Sequence, residues 1–398
     1  MAHTTTPQTR AWLDRRQRRR HQTVTAAFAA VLLGVACAAG LLTPDAGAKP
    51  RSRDRVIGSF AVWGDTRNEP GFTTAAPGFS LLVDNLEDFA FTDSITVGDY
   101  TYAANDAAGD AVRYDSFLAA AQPLLQGRRT IWTVGNHELV GNATDHALWH
   151  QKLFGESVPA GCPSAGQVHH WGPFTLAYGT VAVNGFTLST AEGGVATGTI
   201  GYKTDVVDPT PGSDWTTQSQ QARDLVTWLK ERCVKQWVVV AMHHPLYDAK
   251  IGMPYDTTSP TSEKMKLVDL FRRYGVDLVL QGDVHYYRRH VQPDGTTYLT
   301  QGMGGAGPRT ESNPGTPGAP VGDTPFLDAI DPGHLGSPSS AQKRYAWTVF
   351  SVRRSGSILG DTYYTSTAEE SVDGAQVPPG ATIYLESFTL TAVPRTAP

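Results

Sequence analysis

The sequence predicts an α/β protein, and three observations carry that prediction. Short apolar runs with strand character alternate along the chain with stretches whose apolar residues recur at helical spacing. One run, Trp237-Val238-Val239-Val240-Ala241-Met242, is apolar throughout, as expected of a strand covered on both faces. Five of the runs stop abruptly on Asp, Asn or His, as strands do when they deliver polar side chains to a common edge. At 398 residues, 40% hydrophobic, 10% aromatic and 18% charged, the composition is that of a folded globular chain able to bury a sizeable core.

The first core strand runs from Val56 to Trp63 and ends at Gly64-Asp65-Thr66-Arg67. Phe79, Leu82, Leu86 and Phe89 fall at helical spacing, so a helix follows over residues 79–91. Ser94 to Val97 is a second strand ending at Gly98-Asp99, and Val112 to Leu125 a helix that Pro123 bends or ends. Ile131 to Val134 is a third strand, running straight into Gly135-Asn136-His137-Glu138. A short helix is expected over Asp145 to Phe154, two strands over Phe174 to Leu188, and an amphipathic helix over Thr217 to Val234. The apolar strand 237–242 ends at His243-His244-Pro245. Ser262 caps a helix that Gly275 stops, and Asp277 to Leu280 is a strand ending at Gly282-Asp283-Val284-His285. Thr296 to Thr300 is a strand leading into a Gly-rich turn. Residues 303–342, rich in Gly, Pro and Ser without periodicity, form a long loop. Strands over Tyr345 to Val352, Thr362 to Tyr364 and Ala381 to Thr389 close the chain. With no internal repeat, residues 56–398 are expected to form a single domain.

The first 48 residues differ from the rest. Five clustered arginines, Arg15 to Arg20 apart from Gln17, precede an apolar run from Thr23 to Leu42, and Ala46-Gly47-Ala48 has the small-x-small form of a cleavage site. This predicts a signal peptide over residues 1–48, with an uncleaved membrane anchor as the alternative, and a polar linker over 49–55. The mature protein is then secreted or extracytoplasmic, and it meets a membrane only if this segment is retained. Of the three cysteines Cys37 lies in the leader, leaving Cys162 and Cys233 as a disulfide or as two separate thiols. Residues 1–48 hold six Arg against Asp14 and Asp45, so their removal takes the net charge from -5 to -9. Such an acidic chain is not built to wrap nucleic acid, and a small anionic substrate would need a local positive source.

That source can be metal. The five tips carry Asp65, Asp99, Asn136-His137, His243-His244 and Asp283-Val284-His285. Each alone is also an ordinary polar turn, but together they offer oxygen and imidazole donors that suit hard or borderline ions, and no thiolate is among them. There are donors enough for two ions, which together can activate a water and clamp an in-line phosphoryl displacement. No Gly-x-Ser-x-Gly elbow supports a serine hydrolase.

The ordered set Gly64-Asp65, Gly98-Asp99-x-x-Tyr102, Gly135-Asn136-His137-Glu138, His243-His244-Pro245 and Gly282-Asp283-x-His285 resembles the calcineurin-like metallophosphoesterases, especially their purple acid phosphatase branch. The resemblance implies a β-sandwich flanked by helices (αββα) with metal ligands at the carboxyl ends of the strands. It implies that Asp65, Asp99, Tyr102 and His285 hold one metal, and that Asp99 bridges to a second held by Asn136, His243 and Asp283. The ions implied are Fe with Fe, Mn or Zn, the ferric one bound by the Tyr102 phenolate; Tyr102 is otherwise a packing residue beside Tyr100. The implied reaction is hydrolysis of a small phosphomonoester or phosphodiester by in-line attack of a metal-activated hydroxide. His137 is implied as the general acid or phosphate contact and His244 as its neighbour behind the ligands. Glu138 is read as scaffold.

Two positions depart from the family pattern. Arg67 stands where most relatives carry the histidine ligand of an Asp-x-His motif, and it either meets a phosphate oxygen or pairs with Glu69. Asp283 replaces the first His of Gly-His-x-His, which adds charge and hardens the site. These departures keep open a second reading, a catalytically weakened metal- or phosphate-binding extracytoplasmic protein of the same fold.

Overall fold

The run Val56–Trp63 pairs in parallel with Asp93–Thr96 and, through it, with Arg129–Ile131, and these form β1, β2 and β3 of the first sheet. The computed structural model describes residues 54–68, 71–102, 107–139, 148, 151–153, 171–189, 220–231, 237–246, 263–306, 344–372 and 375–395. These described residues belong to one compact unit. The other side of β1 takes β10 (Arg344–Arg353), then β11 (Ile358–Ser366) and β14 (Ile383–Thr389), all antiparallel, giving the order β14-β11-β10-β1-β2-β3. The second sheet has the order β4-β5-β6-β7-β9-β8, from Gly172–Tyr178, Val181–Leu188, Trp237–Met242, Leu278–Gln281, Thr297–Gln301 and Tyr287–Val291 respectively. Its four inner strands are parallel and its two edges antiparallel.

Alternation along the strands decides the layers. Phe60 and Val62 point between the sheets, where they join Ile95, Val97, Val239, Ala241, Leu278 and Leu280 in one buried cluster. Ala61 and Trp63 point outward, where α1 (Pro77–Leu86) and α2 (Ala107–Leu125) cover them with Phe79, Leu82 and Phe117. Val238 and Val240 of β6 face α4 (Gln220–Lys230) and α5 (Glu263–Tyr274), which bring Leu225, Trp228 and Phe271. Both faces of β6 are therefore covered, which is why its sequence is unbrokenly apolar. The result is the αββα sandwich.

Several boundaries differ from the sequence reading: the helix placed over 79–91 spans Pro77–Leu86, the helix placed from Val112 begins at Ala107, and the strand placed over Thr362 to Tyr364 spans Ile358–Ser366. The strand placed over Ile131 to Val134 ends at Ile131, because the ladder there is replaced by side chains: Thr133 N donates to Thr96 Oγ1 at 3.2 Å and to Tyr100 Oη at 3.0 Å. Asn136–Leu139 then form a single helical turn, α3. Pro123 lies inside α2 rather than ending it; the helix continues to Leu125, and Arg128 Nη1 donates to the Pro123 carbonyl at 2.6 Å. Strand β8 and the hairpin β12 (Glu370–Val372) and β13 (Ala375–Val377) have no counterpart among the expected strands. β8 alternates only weakly, and its Arg289 is recruited by an ion pair to Glu386 at 2.7 Å instead of by apolar burial. The leader 1–48, Cys162, Cys233, Ser262, most of the helix placed over 145–154 and the loop beyond residue 306 lie outside the described residues.

Candidate metal centre

Parallel pairing puts the ends of β1 and β2 side by side, and the same holds for β6 and β7. Trp63 pairs with Thr96, and Asp65 N then donates to Gly98 O at 2.8 Å, so Asp65 and Asp99 emerge together. Across the sandwich Gly282 N donates to His243 O at 2.7 Å, so Asp283 emerges beside His243. The sheets meet edge to edge through polar contacts: His243 Nδ1 donates to Val97 O at 2.6 Å, and Asp283 N lies 3.1 Å from both carboxylate oxygens of Asp65.

Strain is concentrated here. Asp65, Asp99 and Asp283 have φ of 53°, 57° and 64°, and they are the non-glycine residues with positive φ among those described. A side chain in that region costs of order 1–3 kcal/mol, which the surrounding bonds must offset. Glu138 supplies much of that restraint for Asp99. Its carboxylate accepts from Asp99 N at 2.9 Å, Tyr100 N at 2.8 Å and Gly135 N at 2.8 Å. Gly135 is required at this point, since a Cβ would collide with Asp99 and with the Glu138 carboxylate. Burial, helped by the Asp99 charge, pushes the Glu138 carboxyl up to about 7.

Five of the seven residues expected as ligands converge. Asp65, Asp99 and His243, all buried, bring ligand atoms within 4.8 Å of one another. His243 Nε2 lies 3.0 Å from Asn136 Oδ1, 3.3 Å from Asp99 Oδ1 and 3.8 Å from Asp283 Oδ1. Because Val97 O can only accept, Nδ1 carries a hydrogen, and Nε2 is left to face three oxygens. An imidazole nitrogen and three oxygens converging within 3.8 Å favour a cation among them. Burial works against a charged ring, but Asp99, Asp65 and Asp283 hold the His243 imidazole well above its ordinary value. Asp65 is also raised well above the carboxylate range, by burial and by Asp99 and Asp283. Asp99, equally buried, is held below it by His243, His137 and Arg67. The donor set is that of a metal site, with the second ring nitrogen fixed by a carbonyl as metal-binding histidines require.

The remaining expected residues lie to one side. His285 is buried, with Nε2 3.9 Å from Asp65 Oδ1. Arg67 faces this centre: its Nη2 donates to His285 Nε2 at 3.4 Å and its Nε lies 3.5 Å from Asp99 Oδ2. The half-buried Tyr102 ring lies against the His137 ring at 4.7 Å between centres, tilted by 38°, with the Arg67 guanidinium 5.4 Å from its centre. Tyr100 is the packing tyrosine; its hydroxyl donates to Thr133 O at 2.6 Å. His137 Nε2 is 3.8 Å from Asp99 Oδ2, and burial lowers the pKa of its ring. His244 is buried with its ring edge-on to His243 at 5.1 Å. The Val97 carbonyl, which sets the His243 tautomer, carries no sequence signal, because any residue would provide it.

A sandwich whose strand ends deliver buried carboxylates, an amide and imidazoles to one point defines a metal-binding αββα protein. The family model of the calcineurin-like phosphoesterases matches residues 76–287, and the chain belongs to that family. Similar solved structures include a purple acid phosphatase from yellow lupin (Lupinus luteus) seeds, at 17% identity and TM-score 0.47 over 83% of this chain and 53% of that one. The chain thus spans about half the length of the lupin protein. GAP50, the anchor in the inner membrane complex of Plasmodium, is similar at 14% identity and TM-score 0.48, over 86% and 91% of the two chains. A dimetal phosphatase from Danio rerio is similar at 12% identity and TM-score 0.43, over 85% and 100%.

Proposed function

We propose that the protein is an exported, acid phosphatase-like hydrolase of small phosphomonoesters or phosphodiesters. Asp99, Asn136, His243 and Asp283 hold one ion, and Asp65, Asp99, Tyr102 and His285 offer donors to a second, with Fe, Mn or Zn as the ions. The observation that carries this reading is His243, whose Nδ1 is committed to Val97 O while Nε2 faces three oxygens within 3.8 Å. An ion held there supplies Lewis acidity toward phosphoryl oxygens and lowers the pKa of water.

The chain's own residues do the rest. Asn136 offers an uncharged oxygen, which tempers the negative charge of Asp65, Asp99 and Asp283 near an anionic substrate. His137, held by its ring contact with Tyr102 and by its backbone N–H donating to Asp99 Oδ1 at 3.0 Å, presents its imidazole to the leaving oxygen. Burial lowers its pKa, so its cation is a strong acid and its protonated form grows as the pH falls. His244 backs His243 and limits its rotation.

The test is an assay of the full chain with Mn or Fe on generic mono- and diesters. Asn136→Ala should lose activity at least about 1000-fold, and His137→Ala about 100-fold while keeping its metal. Stoichiometric metal with no turnover on any ester would replace this reading with a binding protein of the same fold, an alternative that Arg67 and Asp283 keep open. Export is supported by the arginine cluster, apolar run and Ala46-Gly47-Ala48; retention of the full protein in the cytoplasm of its cell would remove it.

A further inference from the structure

One half of the candidate centre already contains a positive charge. The donors on the Asp65, Tyr102 and His285 side surround the Arg67 side chain, which is 14% exposed. Its backbone is pinned at the tip of β1 by Arg67 N donating to Asp99 O at 3.0 Å. A guanidinium has five donors and no acceptor, so the 3.4 Å contact from Nη2 to His285 uses the Nε2 lone pair. That is the lone pair with which His285 would bind a metal. The Nε atom 3.5 Å from Asp99 Oδ2 adds charge pairing to the carboxylate that would bridge two ions, and the Tyr102 ring lies under the guanidinium. On the His243 side the oxygens of Asn136, Asp99 and Asp283 face the imidazole, and among the described contacts no arginine or lysine reaches Asn136, His243 or Asp283 there.

We propose that Arg67 is the resident cation of the Tyr102 and His285 half, so that the protein binds one metal ion tightly, on the His243 side. This rests on the metal-centre reading above and narrows it from two ions to one ion and one guanidinium. A fixed charge here does for a phosphoryl oxygen what the second ion would do, by bidentate N–H donation in place of coordination. It cannot activate a water, so that task falls to the single ion. The arrangement also gives the two departures from the family pattern a common account. Arg67 adds one positive charge to the site and Asp283 one negative charge, and the two offset each other.

The experiment is metal content per chain, by elemental analysis of the full-length protein loaded with Mn and then desalted. Wild type should hold one ion and Arg67→Met two. In the wild-type background His285→Ala should still hold one, whereas His243→Ala should lose it or bind at least 10-fold more weakly. Two tightly held ions in wild type, one ion in Arg67→Met, or loss of the ion in His285→Ala would each overturn the proposal while leaving a metallophosphoesterase. No ion in wild type would overturn the metal centre itself. If Arg67→Met does not fold, the two histidine variants decide.

Discussion

Glu138, at the edge that carries the metal centre, and Asp277, at the opposite end of β7, are both buried carboxylates that accept backbone N–H groups, yet they are neutralised differently. Asp277 takes Val238 N at 2.8 Å and Val393 N at 2.7 Å, and Arg395 pairs with it while donating from Nε to Gly275 O at 2.9 Å. Glu138 takes three amides and, among the described residues, no guanidinium. The far end of the sandwich thus closes its own charge. The near end gathers Asp65, Asp99, Glu138 and Asp283 around a single arginine, an imbalance that structural stability alone does not require. It is the electrostatic mark of a place for a cation.

The largest effect that would sharpen this contrast is on stability at the far end. Asp277→Ala leaves Arg395 buried without its anion and two amides without acceptors, and should cost about 3–5 kcal/mol in chemical denaturation with metal affinity unchanged. A loss of metal binding in the folded variant would break the comparison.

Next is pH. Burial raises the Asp277 carboxyl to about 6, above the ordinary 3.8, although Arg395 and the two amides pull it down. A raised pKa means that the folded state favours the proton. The stabilisation is fully present below pH ~3.8 and is lost as pH rises through about 6, a change of about 3 kcal/mol at most. Wild type should therefore gain on Asp277→Asn between pH 7 and pH 4. A constant difference between the two would show that Asp277 does not titrate there.

At the site end, Glu138→Gln turns an N–H₂ toward backbone donors. It should cost about 2 kcal/mol and weaken metal binding 10–100-fold, because the αL turn at Asp99 loses its restraint. Equal stability loss with intact metal affinity would make Glu138 a second Asp277. The smallest effect is Tyr100→Phe, which removes the bonds to Thr133 and should lower stability by about 1–1.5 kcal/mol without changing metal content. A change in metal content would mean that the wrong tyrosine has been taken for packing.

Much of this was legible beforehand because strands and ligands share one code. An apolar run that ends on Asp or His declares both a strand and a tip, so β1, β6 and the positions of Asp65, Asp99, Asn136, His243 and Asp283 could be read together. The end of β3 could not, because Thr96 and Tyr100, more than 30 residues away, replace its ladder bonds at Thr133. Strand β8 was hidden because Arg289 is held by Glu386, a pairing that local periodicity does not record.

By itself the sequence determined the α/β alternation, through the period of its apolar residues, and the set of candidate metal donors, through the residues at its strand ends, while the αββα layering came with the family resemblance of those strand-end motifs. The alternation and the donor set are local properties of short segments. Only the tertiary structure decided which donors meet, which His243 nitrogen faces them, and that Arg67 turns to His285 and Asp99 while Tyr102 packs against His137. Those choices depend on distances across two sheets, and on a carbonyl and three backbone amides that every sequence contains.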